Sequence, residues 1–420
     1  MSAGRIMRRG ALLGLLLAIA ACGSDVATND ESLTRDRQSF ETIERGRYLA
    51  VVSDCAACHT DIGGKPYAGG RPIETPFGKL LASNLTPDRD TGIGAWSDDD
   101  FVSAVTRGIS RGDVRLYPAM PYTYYTKMTR QDVLAIRSYL ATLEPVHHEV
   151  KSNQLPFPFN IRASMAVWNA LFFTPGTFKP VAGKPAEWNA GAYLVEGPGH
   201  CGACHTAKNF LGADKTSHTL EGGVLQGWYS PNLTGDKRAG LGSWSPEEIV
   251  AYLKSGHNAA AAATGPMSEV VTDSTSQMTD DDLRAIAAYL KDQPATSTEP
   301  ARVAANDPAM RGGEAIYVDN CAACHAMSGE GVAGMFPALK GGPATQSADP
   351  TSLIRVVLQG ARSVATERAP TGPAMPAFDW KLSDAEVAAV LTYIRNSWGN
   401  AGAAVSASDV HRSRGSLASQ

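Results

Sequence analysis

Six of the seven cysteines in this 420-residue chain fall in three copies of one pattern, Cys-x-x-Cys-His. The copies are Cys55-Ala56-Ala57-Cys58-His59, Cys201-Gly202-Ala203-Cys204-His205 and Cys321-Ala322-Ala323-Cys324-His325. This is the spacing of covalent c-type haem attachment: two thiols add to the haem vinyl groups, and the adjacent histidine lies under the iron as its proximal ligand. Three such groups constrain the fold strongly, because each needs a domain wrapped round it. A structural zinc site would need two half-sites brought together, and three identical copies pair badly. A redox-active Cys-x-x-Cys normally accompanies a βαβ pattern, which is not visible here. A disulfide inside a four-residue loop would staple nothing distant.

The start of the chain has the marks of an export signal. Arg5, Arg8 and Arg9 are followed by an apolar run from Ala11 to Ala21, too short to span a bilayer as a mature helix. The run ends Ile19-Ala20-Ala21-Cys22, which resembles the bacterial lipoprotein cleavage box and makes Cys22 the candidate lipidation site. The alternative is ordinary cleavage near Ala20-Ala21. No other stretch approaches about 20 consecutive apolar residues, so membrane contact is expected through lipid, a partner or a surface patch. The expected location is exported, on the periplasmic side of a bacterial membrane, with a lipid anchor. The formal net charge is -4; losing the three leader arginines takes it to -7, and haem propionates add further negative charge. Nucleic acid is therefore excluded as a partner.

A chain of this length exceeds one core and suits three domains of about 100 residues, and an internal repeat divides it. A helical segment precedes each motif, at Glu41 to Val52, Glu187 to Val195 and Asp307 to Val318. A second helix follows, each stopping at a glycine suited to a left-handed cap: Asp98 to Arg107 before Gly108, Pro246 to Ser255 before Gly256, and Pro350 to Gln359 before Gly360. Next comes a methionine in a proline-containing loop, Met120, Met267 or Met375. A third helix closes each repeat behind a capping signal: Thr129-x-x-Asp132 before Val133 to Leu143, Thr279-x-x-Asp282 before Leu283 to Lys291, and Ser383-x-x-Glu386 before Val387 to Ser397. Repeats one and two also share Asn84-Leu85-Thr86 and Asn232-Leu233-Thr234, each twelve residues before a tryptophan, expected as loop structure over a haem edge.

The fold class expected is mainly α: three tandem class I cytochrome c-like haem domains joined by Pro-rich linkers. The divisions are a leader at 1–22, domains at 40–150, 185–293 and 306–400, a linker at 151–184, and a disordered tail at 401–420 rich in Ala, Ser and Gly. The first linker contains Phe157, Phe159, Trp168, Phe172 and Phe173, read either as packing between domains or as an apolar patch for docking or membrane contact.

An iron held by histidine needs a sixth ligand, and a thioether raises the reduction potential while closing the position to oxygen. Met120, Met267 and Met375 are the candidates because they share one slot. Met278 rivals Met267. Met128, Met278, Met310, Met327 and Met335 are otherwise expected as core fillers. Tyr48, Tyr139, Tyr193, Tyr289 and Tyr393 are expected at the helix crossings, as core rather than electron relays. His200, beside Cys201, could compete for iron. Haem completes an otherwise limited core, so its loss should unfold a domain. No organic substrate site is visible, and no catalytic residue is assigned.

Together the three motifs, Tyr117-Pro118-Ala119-Met120-Pro121-Tyr122 and the ending Tyr393-Ile394-Arg395-Asn396-Ser397-Trp398-Gly399-Asn400 resemble the tri-haem cytochrome c subunits of membrane-bound bacterial dehydrogenases. The quinoprotein alcohol and flavin gluconate dehydrogenases are the best known, with relatives serving sorbitol, fructose, aldehyde and nicotinate oxidation. The resemblance covers about Phe40 to Asn400. It implies a separate large subunit carrying pyrroloquinoline quinone, flavin or molybdenum, and electrons passing over three haems to ubiquinone or a terminal oxidase. His59, His205 and His325 carry over as proximal ligands, and Met120, Met267 and Met375 as distal ones. Two other roles are open: a free-standing periplasmic lipoprotein shuttling electrons between respiratory complexes, and an enzyme such as a peroxidase with one haem site open.

Overall fold

The computed structural model describes residues 39–296 and 302–418. The leader, and Cys22 with it, lies outside the described residues. Three helices recur in each repeat. The first are Phe40–Val52, Ala186–Glu196 and Pro308–Asn320. The second are Asp98–Arg107, Pro246–Ser255 and Thr351–Gln359, and the third Arg130–Leu140, Asp280–Lys291 and Asp384–Ile394. The described β-structure is limited to four short antiparallel hairpins and isolated bridges. The second helices end where their glycines allow: Gly108, Gly256 and Gly360 have φ of 65°, 77° and 73°.

First and third helices cross backbone to backbone in every repeat, and a glycine makes the approach possible. A Cβ on Gly46 would lie 1.8 Å from the Ala135 carbonyl oxygen, on Gly191 1.9 Å from that of Ala285, and on Gly313 2.2 Å from that of Ala389. No larger residue fits. Round each crossing lies an apolar core: Leu49, Met128, Val133 and Leu140 in the first repeat, Ile249, Met278, Leu283 and Leu290 in the second, and Ile354, Leu358, Val387 and Leu391 in the third.

Reciprocal capping boxes close at Ser97 with Asp100, Ser245 with Glu248, and Ser383 with Glu386. At Thr129 and Thr279 the hydroxyl caps its helix, but the aspartates three residues on turn to another repeat. Tyr193 donates to Asp132 and Tyr48 to Asp282. The same hydroxyls accept the N–H groups of Thr129 at 3.3 Å and Thr279 at 3.2 Å. Tyr48 and Tyr193, expected as core at their own helix crossings, instead join repeats one and two by mirrored contacts. The third repeat has Ala315 in that slot and joins the second differently. Ser352 bonds Tyr229 through both main-chain groups, Arg355 lies over the Trp228 ring, and Arg238 donates to the Ala401 carbonyl.

Other expectations need correcting. The tail is a helix, Ala407–Ala418, with Val405 and Val410 buried in the third core. Arg414 pairs with Asp384 and donates to the Asp379 and Leu382 carbonyls. Its apolar residues are sparse, but they fall on the face that this core leaves open. The third helices begin directly after their caps, a turn before the first buried apolar position. Met327 and Met335 are exposed rather than core fillers, since they stand on the turns that follow the third motif. The 151–184 segment is pinned along its length: Gln154 pairs with Lys79, Trp168 donates to the Leu211 carbonyl, and Phe178 donates to that of Lys127.

Candidate haem sites

Each motif is one turn of helix directly after the first helix of its repeat: Cys55–His59, Gly202–His205 and Ala322–His325. All six cysteines carry free thiols, two to each motif. Burial pushes Cys55 and Cys201 up to about 12 and Cys58 and Cys321 up to about 11, and raises Cys204 as well.

The three histidines are held alike. Nδ1 of His59 lies 2.7 Å from the Ser83 carbonyl oxygen, Nδ1 of His205 2.6 Å from that of Pro231, and Nδ1 of His325 3.1 Å from that of Pro337. A carbonyl can only accept, so Nδ1 carries the proton and Nε2 keeps a lone pair for a metal. Burial lowers the pKa of all three imidazoles, favouring the neutral, ligating form.

The shared methionine slot sits on three different backbones. Met120 precedes the short Tyr122–Tyr125 helix, Met267 is in the first turn of Pro266–Asp273, and Met375 is on a strand paired with Ala361. All three are half-buried. Met120 packs on the same core as Cys55 and Ala56, and Met375 on the same core as Cys321 and Ala322. Met267 belongs to a smaller cluster with Ala263, Val271 and Val364, joined to the Cys201 core through Tyr252. Its rival Met278 is buried beside the cap Thr279, in the same position as Met128 beside Thr129. Both are core residues.

Free paired thiols, an imidazole aimed by its own hydrogen bond and a half-buried thioether are the donor set of a haem c with histidine–methionine ligation. The residues present fit that group in all three repeats.

The remaining histidines are engaged elsewhere. His200 stacks edge-on against Tyr125 with Nε2 3.3 Å from the Ser53 carbonyl oxygen, so it joins repeats one and two. His257 meets Ser363 Oγ at 2.6 Å between repeats two and three. His148 bonds the Ala68 carbonyl, while His147, His218 and His411 face Asp88, Glu221 and Asp384. The Asn-x-Thr triplets are buried turns: Asn84 Oδ1 accepts from the Thr86 N–H at 2.9 Å, and Asn232 Oδ1 from the Thr234 N–H at 2.6 Å.

Motif spacing did not reveal Asp54. It holds a left-handed turn, φ 51°, between the first helix and Cys55. Its Oδ1 is buried without a partner. Burial, with Asp273 and Glu269 of the second repeat nearby, raises its pKa to about 8.

A cytochrome c family model matches three stretches, residues 43–144, 189–294 and 310–398. The gluconate 2-dehydrogenase cytochrome c subunit of Pantoea cypripedii is 39% identical over 400 residues, covering 90% of this chain and 91% of that protein. The cytochrome c subunit of the quinone alcohol dehydrogenase of Gluconobacter oxydans is 38% identical, covering 95% of this chain and 86% of that protein. The fructose dehydrogenase cytochrome subunit of Gluconobacter japonicus is 35% identical, covering 95% and 87%.

Proposed function

We propose a role that starts from one fact: this chain belongs to the cytochrome c family. In this reading it is the electron-transfer subunit of a membrane-bound dehydrogenase. It carries three covalent haems and takes electrons from a separate substrate-oxidising subunit that holds quinone, flavin or molybdenum chemistry. It delivers them to ubiquinone or a terminal oxidase on the periplasmic side of a bacterial membrane, with Cys22 as a lipid anchor.

The observation that carries the reading is the threefold recurrence of one donor set, each imidazole held by a main-chain carbonyl. A bound haem supplies a one-electron carrier. Cys55 and Cys58, Cys201 and Cys204, and Cys321 and Cys324 fix it. The Nδ1 bonds orient His59, His205 and His325 and make Nε2 a stronger donor. Met120, Met267 and Met375 would supply a thioether ligand to a bound haem and favour its reduced state. Three sites of this kind relay electrons and leave the oxidation of substrate to a partner. The relatives named above are themselves cytochrome subunits of gluconate, alcohol and fructose dehydrogenases.

The test is to tag the C-terminus, purify the chain in mild detergent and identify what accompanies it. A stoichiometric dehydrogenase subunit whose substrate reduces the haems supports the reading. Repeated recovery of the chain alone favours the independent shuttle.

A further inference from the structure

The segment between the first two repeats separates its roles by face. In the helix Ser164–Phe172, Trp168 is buried and its indole N–H donates to the Leu211 carbonyl of the second repeat. Asn169 accepts from the Tyr122 hydroxyl at 2.7 Å, and Phe173 lies edge-on to the Tyr122 ring. That face is fixed to both repeats. The opposite face presents Val167 at 63% exposure and Leu171 at 65%, while Phe172, one turn after Trp168, packs on the indole; the preceding turn adds Phe157 at 78% and Ile161 at 46%.

The charge of this stretch runs against that of the chain. Residues 150–186 contain Lys151, Arg162, Lys179 and Lys184 and no aspartate or glutamate, within a chain of net charge -4. Lys184 pairs with Asp292. Among the described residues, Lys151, Arg162 and Lys179 have no carboxylate partner; Arg162 instead donates to the Arg115 carbonyl and lies over the Tyr117 ring. Residues 163–178 are uncharged, with a cation at each flank. Exposed apolar side chains bordered by unpaired cations match the interface of an anionic bilayer, where the apolar groups enter the headgroup boundary and the cations meet lipid phosphates. Among the described residues no helix is long and apolar enough to cross a membrane.

We infer that the exposed face formed by Phe157, Ile161, Val167 and Leu171 is a membrane-surface docking face that seats the first two repeats on anionic phospholipid. This goes beyond the electron-transfer reading and does not depend on it, because binding is measured on the purified chain without turnover.

The test uses the haem-loaded full chain carrying Cys22→Ser, so that no acyl chain contributes, in flotation with phosphatidylcholine vesicles with and without phosphatidylglycerol. The expected result is binding that increases with phosphatidylglycerol. It should fall about tenfold in V167S/L171S and about thirtyfold in R162Q/K179Q, with absorbance spectrum and melting temperature unchanged. Equal flotation of parent and variants overturns the inference. So does unchanged flotation with loss of a co-purifying dehydrogenase subunit in V167S/L171S, which would assign the face to a protein partner.

Discussion

Tyr193, in the first helix of the second repeat, places its hydroxyl 2.5 Å from an Asp132 carboxylate oxygen in the third helix of the first. Tyr48 makes the mirrored bond to Asp282. Two homologous domains thus use the same pair of positions on each other, as an isologous dimer would. Each tyrosine comes two residues after the crossing glycine, Gly46 or Gly191. Removing one hydroxyl with Tyr193→Phe or Tyr48→Phe should destabilise the holo-chain by about 1–2 kcal/mol, since the acceptor is a carboxylate. Thermal melting followed at the haem absorbance checks this; unchanged melting in both variants would show that the contact contributes nothing.

The crossing glycines make a sharper prediction. Gly46→Ala, Gly191→Ala or Gly313→Ala drives a methyl group into a main-chain carbonyl, and overpacking of this kind costs about 3 kcal/mol or more where backbone must shift. Each variant should destabilise its own repeat and lower the yield of fully haem-loaded chain. Gly312→Ala is the control: its Cβ meets nothing within 4 Å, and helix propensity should make it about 1 kcal/mol more stable. Pyridine haemochrome quantification and melting curves separate the two outcomes.

Asp54 gives the chain a pH dependence. Burial raises its folded pKa from an ordinary 3.8 to about 8, so the folded state holds a proton that the unfolded chain releases. Its contribution to stability is present below about pH 4 and is lost as pH rises towards 8. Asp54→Asn keeps a side chain tolerated at φ 51° and cannot ionise. Melting temperatures measured from pH 5 to pH 8 should fall less steeply in this variant than in the parent; parallel slopes would remove Asp54 from the account.

The C-terminal helix is expected to be part of the third domain. Ending the chain after Asn400 uncovers the core beneath Val405 and Val410 and removes the Arg414–Asp384 pair. A loss of about 2–5 kcal/mol follows from comparable core truncations. Limited proteolysis of the truncated holo-chain should then release the third domain first.

Iron ligation distinguishes Met267 from Met278. Met267→Ala should open one haem to carbon monoxide and lower its potential, within the roughly 0.8 V range set by axial ligands. Met278→Leu, a volume-conserving core change, should cost under about 1.5 kcal/mol and leave the spectrum unaltered.

Local signals in the sequence were sufficient for much of this. The capping residues Ser97, Ser245 and Ser383 and the glycines at 108, 256 and 360 act within one turn, so their helix ends were legible. The Cys-x-x-Cys-His motifs and the methionine that recurs in one slot of each repeat are visible in the residue types themselves. Features decided by distant partners were not. Asp132 and Asp282 read as helix-capping residues until Tyr193 and Tyr48 came into contact with them. The tail looked disordered because Val405 and Val410 find their core only after the third repeat folds. Gly46, Gly191 and Gly313 carry no local signal of their own; only the structure shows that they align at the helix crossing.

The central claim is that all three motifs carry covalent haem, and intact-mass spectrometry of the purified exported chain tests it most directly. The account predicts the polypeptide mass plus three haems, falling by one haem in each of Cys58→Ala, Cys204→Ala and Cys324→Ala. A parent mass with two haems or fewer, or one showing disulfides in place of thioether links, would contradict it.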